Sequence, residues 1–198
     1  MIAMPDTPAD TPADTPSARL QIRQLTSLGE REIAGLSDVL IDCVQGGASV
    51  SFMLPMTRDK AHRYWHGVAA STQRGERLVF VAEDERCRII GTVQVVLQQP
   101  ENQPHRGDVS KMLVHRQARR LGAGAQLLVA AERGALAAGK TLLVLDTASD
   151  SAERLYRRQG WQFCGVIPDY ALMPDGACCA TTVFYKALAP HAPWAPAA

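Results

Sequence analysis

The sequence predicts an α/β protein with a mixed, mostly antiparallel central sheet flanked by helices. Three observations lead there. Amphipathic helical runs are interspersed with short strand-like runs along most of the chain. Two of those strands, 78–83 and 88–97, are separated only by the charged turn 84–86, the spacing of an antiparallel hairpin. A third strand, 108–115, leads through a glycine-containing loop directly into a helix.

Taken in order, Leu20, Ile22 and Leu25 mark a first strand, and Ile33, Leu36, Leu40 and Val44 lie on one face of a helix that Gly46 and Gly47 stop. Residues 46–53 are irregular. Thr57 is the expected N-cap of a second helix with Ala61, Tyr64, Trp65 and Val68 on one side, ended by Gly75. The hairpin follows, with Gly91 as a candidate bulge. The helix after the glycine loop carries Leu127, Leu128, Ala131 and Leu136 on or near its apolar face and stops at Gly139. A short apolar strand at 141–146, a helix capped by Ser149 or Asp150 and running to Arg158, the aromatic run at 161–163, a loop around Asp169 to Asp175 and a last strand at 181–188 complete an order β-α-α-β-β-β-α-β-α-β-β.

The expected domain is 18–189. Residues 1–17 are Pro-rich, repeat TPAD twice and hold too few large apolar side chains to join a core, so they read as a disordered tail, and 190–198 reads as a flexible one. With 198 residues and 46% hydrophobic content, one buried core is the expectation. A net charge of +1, from 21 basic and 20 acidic residues, gives no field for nucleic acid or anionic membrane, and neither is an expected partner. Five cysteines, odd in number and without CxxC spacing, point to a reducing compartment, and the opening residues lack the order of a signal peptide. The cytoplasm is the expected location.

The loop at 119–124 has the chemistry of a phosphate cradle. N–H groups at a helix start have no intrahelical partner and sit at the positive end of the helix dipole. Gly122 and Gly124 clear the approach, and Arg116, Arg119 and Arg120 add positive charge. Within this loop a Walker match is excluded because neither Gly122 nor Gly124 is followed five residues later by a GK pair, and a dinucleotide fingerprint is excluded because Leu127 stands where a third small residue belongs. A tight turn with close helix packing is the competing structural reading of the two glycines.

The order of two motifs sharpens this. Arg119, Gly122 and Gly124 fit Q/R-x-x-G-x-G/A after the strand KMLVH, and Ala152, Leu155, Tyr156, Gly160 and Trp161 fit A-x-x-L-Y-x-x-x-G-F. Over most of 18–189 the chain thereby resembles the GNAT superfamily of N-acetyltransferases, although Ser149 stands where that family often has Asn. The segments VQGGASVSFM, DVSKMLVH, LDT and PDYALMPDG are further similar to the tabtoxin-resistance acetyltransferases. The resemblance implies a GNAT-like acyl-CoA N-acyltransferase fold, acetyl-CoA as donor and a small-molecule amine as acceptor, amino-acid-like or a β-lactam toxin, attacked directly in a ternary complex. It assigns acetyl-CoA contacts to Met112, Leu113, Val114, Arg119, Arg120, Leu121, Gly122, Ala123, Gly124, Ala125, Thr147, Ser151 and Tyr156. A homodimer is left open.

Transfer from a thioester to an amine needs a neutral amine, a stabilised oxyanion and a proton for the thiolate. By resemblance, a backbone N–H within 112–114 serves the oxyanion and Tyr156 is the general acid. A phenol of pKa about 10 holds its proton at neutral pH, while a thiol has pKa about 8.5. Asp108 and Asp146, at opposite ends of adjacent strands, are alternative general bases or amine anchors. Ser49, Phe52 and Tyr170 are the expected acceptor contacts together with those two carboxylates. His62 and His66 have zinc-compatible spacing but no third ligand, so no metal is expected, and Cys43 reads as core. The competing readings are a non-catalytic protein that holds acetyl-CoA or a toxin, and transfer to protein N-termini or ribosomal lysines.

Overall fold

Local chemistry sets the ends of most elements. The computed structural model describes residues 20–189, so both expected tails, and residues 18 and 19 of the expected domain, lie outside the described residues. Strand β1 (Gln21–Leu25) is followed by α1 (Glu30–Gln45), whose Gly29 N-cap N–H is answered by Glu32, and by α2 (Arg58–Gln73). The Thr57 hydroxyl accepts from the Lys60 N–H at the start of α2, and Gly75 supplies the left-handed φ of 72° just past its end. Next come β2 (Arg77–Glu83), β3 (Ile89–Val96), β4 (Arg106–Val114), α3 (Ala123–Ala137), β5 (Leu142–Thr147), α4 (Asp150–Arg158), β6 (Gln162–Leu172) and β7 (Cys178–Ala187). This element order is the one the sequence predicts.

The seven strands form one sheet in the order β1-β2-β3-β4-β5-β7-β6. Every neighbouring pair is antiparallel except β4 and β5, which are parallel and matched over only three residue pairs, Arg106 with Leu142 through Asp108 with Val144. Beyond those pairs the two strands separate. On one face, α1 and α2 bury Leu36, Leu40 and Trp65 against Val79 and Val81. On the other, α3 buries Leu127, Leu128 and Ala131 against Phe80, Val93 and Leu143. Cys43 is in the first cluster, as expected.

Two expectations need correction. Leu136 is 47% exposed, and Ala135, one full turn beyond Ala131, takes the buried position. Asp169 and Tyr170 are not in a loop: β6 extends to Leu172, bending where its register with β7 breaks between Ile167 and Ala171, and Asp169 has a φ of 49°. The connecting turn is confined to 173–177.

The register of β3 slips beside Gly91, where Ala82 pairs with Gly91 and Glu83 with Ile89. The glycine is also needed for close approach, since an added Cβ would lie 3.1 Å from the Leu113 carbonyl oxygen and 3.1 Å from Leu127 Cδ1. A second irregularity matters more. Thr92 pairs with Leu113 and Gln94 with Ser110, so Lys111 and Met112 together oppose Val93, and Lys111 adopts a φ of 49°. The extra residue reverses which face β4 presents. Val109 packs in the α3 cluster, whereas Leu113, four residues on, packs in the α1 and α2 cluster.

The end of α1 anchors the chain just past β4. The Asp42 carboxylate accepts from the Arg116 backbone N–H at 2.8 Å and from Arg116 Nε at 2.9 Å, and Cys43 Sγ donates to the Val114 carbonyl at 3.5 Å. Burial pushes the Asp42 carboxyl up, but the two Arg116 hydrogen bonds and the charges of His115 and Arg116 outweigh it and hold the group below the usual carboxylate range. A depressed folded-state pKa contributes stability that is present above the unfolded pKa of about 3.9 and is lost as pH falls through the folded value.

Two outcomes are expected. Gly91→Ala lowers stability by about 1–3 kcal/mol, because a β4 carbonyl and a core leucine must both move, and urea unfolding measures it. Asp42→Asn destabilises by about 1–3 kcal/mol at pH 7, and its difference from the wild type shrinks as thermal melts are taken below about pH 4.

Candidate functional site

Where β4 parts from β5, the sheet has an internal edge. His115 N–H donates to the Ile90 carbonyl, so by the alternation of an antiparallel ladder Leu113 also faces β3, while Val114 directs its N–H toward the split; Met112 lies in the bulge, outside that alternation. Of the three expected residues, Leu113 is therefore engaged by β3 and buried in the core. The Val114 carbonyl is met by Arg119 Nε at 3.3 Å and by Cys43.

Past the split, a single turn of 3-10 helix (Arg116–Ala118) and the extended Arg119 lead to Arg120 and Gly122, both in the left-handed region with φ of 67° and 83°. Gly122 is the N-cap of α3 and offers no side-chain acceptor, so the first-turn N–H groups of Ala123, Gly124 and Ala125 have no cap. Arg119, Arg120 and Leu121 are exposed beside them, and neither arginine is in an ion pair among the described residues. Bare amides and unpaired guanidinium groups suit a diphosphate. The two glycines differ in purpose. Gly122 provides the left-handed turn, whereas a Cβ on Gly124 would lie 3.1 Å from Leu155 Cδ2, so Gly124 lets α4 close on α3. That contact joins the two sequence motifs physically.

Helix α4 begins at Ser149, whose hydroxyl accepts from the Ala152 N–H and lies 2.9 Å from the Ser151 hydroxyl. The Thr147 hydroxyl in turn accepts from the Ser149 N–H. Tyr156, on the inner face of α4, is 4% exposed and packs between Trp161 and Phe184, with ring centroids 5.9 and 5.8 Å away. Burial, reinforced by the negative charge of Asp146, pushes its phenol well above the ordinary value. Among the described residues nothing hydrogen-bonds its hydroxyl.

Asp146 and Asp108 share a sheet face, because Asp108 pairs with Val144, two residues before Asp146. Their surroundings differ. Asp108 lies in the part of β4 still joined to β5 and is engaged by Gln99 Nε2 at 3.0 Å and Arg106 at 3.4 Å. Asp146 lies beyond the last pair, is exposed, and receives one hydrogen bond, 2.7 Å from the Thr181 hydroxyl to Oδ2.

Lys111, which the sequence reading did not single out, joins this group. Its ammonium donates to the Ser51 hydroxyl at 3.1 Å and stands 5.8 Å from the ring centroids of both Phe52 and Tyr64. Burial and the charge of Arg77 lower its pKa, against a raising influence from Asp146. Only a β-bulge aims Lys111 this way, and a bulge has no side-chain period to reveal it. The 46–53 segment is held over the same face, with Ser49 donating to the Leu172 carbonyl at 3.0 Å and Leu54 N–H to the Pro174 carbonyl at 3.0 Å. Tyr170 stays on the outer strand β6, 55% exposed. Cavities of ≈ 670 and ≈ 770 Å³ lie elsewhere, one between β1 and α3 under Ala125 and Gln126 and one at the β2–β3 turn beside His115 and Leu121, and neither is lined by a residue of β4 or β5 or by Tyr156.

Comparison with known proteins agrees with this arrangement. Residues 75–163 match the family model of the acetyltransferase (GNAT) domain. The chain is 30% identical over 127 residues to an uncharacterized N-acetyltransferase from the hisH-hisA intergenic region of Azospirillum brasilense, covering 63% of this chain and 73% of that protein. Its fold matches a GNAT superfamily phosphinothricin acetyltransferase from Sinorhizobium meliloti in complex with AcCoA, with TM-score 0.73, 18% identity and coverage of 91% and 94% of the two chains. It also matches a ribosomal-protein-alanine N-acetyltransferase from Brucella melitensis, with TM-score 0.69, 22% identity and coverage of 84% and 99%. The split sheet, the uncapped glycine start of α3 and these similarities together show that the chain belongs to the GNAT family of N-acetyltransferases.

Proposed function

We propose that this chain, through a domain spanning 18–189, transfers the acetyl group of acetyl-CoA to the amine of a small molecule by direct attack in a ternary complex in the cytoplasm. The observation that carries the reading is the parting of β4 from β5 at the point where Asp146 acts on Tyr156. The acetyl-CoA held by the Sinorhizobium meliloti protein supports the same donor here. Acetyl-CoA supplies the acetyl group as a thioester, and the remaining chemistry falls to side chains and backbone of this chain.

The amides of Ala123, Gly124 and Ala125, with Arg119 and Arg120, hold the pyrophosphate, and Thr147 and Ser151 flank it from the β5–α4 junction. Val114 offers an N–H donor to the carbonyl oxygen, such a donor being typically worth about 3 kcal/mol when charge develops there. Asp146 receives the acceptor amine. A lysine-like amine of pKa about 10.4 is neutral only about once in a thousand molecules near pH 7.4, a cost of roughly 4 kcal/mol, so a carboxylate that can take its proton accelerates attack. Asp146 is favoured over Asp108 because its Oδ1 has no partner among the described residues, whereas Asp108 is engaged by Gln99 and Arg106. Tyr156 delivers the proton to the departing thiolate.

Ser49, Phe52, Asp108 and Tyr170 complete the acceptor side in this reading, and an amino-acid-like or β-lactam toxin is the class of amine proposed. Transfer to a protein N-terminus is the second reading, supported by the fold shared with the ribosomal-protein-alanine N-acetyltransferase of Brucella melitensis. The exposed apolar side chains of the outer strand β6, Val166 (56%), Ile167 (44%) and Tyr170, support association into a homodimer.

Thiol release from acetyl-CoA, measured against small amines and N-terminal peptides, tests the assignment. Small amines are expected to be turned over, whereas tight acetyl-CoA binding without thiol release from any acceptor would overturn it. Tyr156→Phe keeps the packing against Trp161 and Phe184 and is expected to lower kcat about 100-fold; turnover within twofold of the wild type would remove Tyr156 from the chemistry. Because the phenol is held above its ordinary pKa, the pH profile of kcat is expected to show no alkaline fall up to about pH 10.

A further inference from the structure

The acceptor side of the split holds more positive charge than its described partners neutralise. Lys111 rests in an aromatic corner, its ammonium near the Phe52 and Tyr64 rings, which meet edge to face at 5.2 Å and 83°. Next to that corner Arg77 donates to Gln94 Oε1, and Gln94 Nε2 donates to the Tyr64 hydroxyl at 3.2 Å. Arg77 Nε is buried without a partner among the described residues. Neither cation is in an ion pair among the described residues. The acid that acts on Lys111 is Asp146, which is bound instead to Thr181.

A desolvated cation without a counter-ion is costly, and rings with one hydroxyl compensate only part of that cost. The arrangement is therefore complementary to an anion arriving from solution. Its polarity is also ordered: Asp108 on β4 is already engaged by Arg106 and Gln99, Asp146 on β5 keeps a carboxylate oxygen without a partner among the described residues, and Lys111 and Arg77 lie by Tyr64 of α2. A polyamine or other polycation would set positive charge against Lys111 and Arg77.

We infer that Lys111 is a specificity residue that anchors a carboxylate of the acceptor, so that the preferred substrate is a zwitterion with its amine at Asp146 and its acid group at Lys111. This rests on the acetyl-transfer reading of the same site. Phe52 and Tyr64 orient the lysine, and Ser51 is the hydrogen-bond partner that the carboxylate displaces or shares.

Initial rates of thiol release by the full chain, with free L-amino acids each paired with its carboxamide and with spermidine as a polycation, test it. The carboxamide has the less basic amine of each pair, so chemistry alone favours the amide, and any preference for the acid reports recognition. The wild type is expected to prefer the acid by roughly 10- to 100-fold in kcat/KM, the range for a hydrogen bond to a charged group, and to use spermidine poorly. Lys111→Met is expected to bring the acid-to-amide ratio to about one, and Lys111→Arg to retain it. The ratio is internal to each preparation and does not depend on how much of a variant folds. Equal use of acid and amide by the wild type, or an unchanged ratio in Lys111→Met, overturns the inference while leaving acetyl transfer standing. Thiol release from no acceptor at all overturns both.

Discussion

After Asp108 and Val144, β4 has no strand beside it on one edge, and the rest of the site follows from that loss of pairing. Backbone N–H and C=O groups inside a sheet must be satisfied by something. Here the Val114 carbonyl is met by Cys43 from α1 and by the Arg119 side chain. The Val114 N–H, directed into the split, has no such neighbour strand. An edge of this kind is complementary to an extended ligand that carries its own amides, because such a ligand can pair with β4 as a strand would. The same divergence leaves room at the end of β5 for Asp146 and, beneath it, for Tyr156.

The divergence is coupled to the bulge at Lys111. An extra residue in β4 bends the strand and exchanges its faces, so that Leu113 can enter the α1 and α2 core while Val109 remains in the α3 core. Gly91 belongs to the same arrangement, since it admits both the Leu113 carbonyl and the Leu127 side chain at the place where β3, β4 and α3 meet. The Asp42 to Arg116 contact then fixes the chain beyond β4 and sets where the turn into α3 starts. Strand, loop and helix are thus held by backbone geometry on one side and by one carboxylate on the other.

Much of this was legible in the sequence wherever a local rule applies. Thr57 and Ser149 cap their helices through the hydrogen bonds their side chains can make, and Gly75 supplies its left-handed turn, so the element order could be read directly. Spacing could not separate the uses of Gly122 and Gly124. One is required by φ, and the other by a Leu155 contact that exists only after α4 folds back. Leu136 was placed on or near the apolar face of α3, but the true stripe runs through Ala135, a small residue that hydrophobicity underweights. Residues 169–172 read as loop because Asp and a Pro nearby are turn residues, yet β7 pairing carries them into a bent strand. Lys111 was invisible for a related reason: its direction is a product of strand register.

The least intuitive feature is a deeply buried tyrosine beside a carboxylate. Each would be simpler alone, because burial already keeps the phenol protonated and the charge of Asp146 raises its pKa further. A very weak acid is ordinarily a poor proton donor. The arrangement makes sense if the charge on Asp146 changes during turnover. In the proposed mechanism, a proton passed from the amine to Asp146 would remove the negative charge that opposes ionisation of Tyr156, and the phenol would become easier to deprotonate as the thiolate departs. The same loss of charge removes the one acidic influence on Lys111, leaving the two cations to hold an anionic group more firmly. Proton gain at Asp146 would then be linked to proton release at Tyr156 by electrostatics alone, without a hydrogen bond between them.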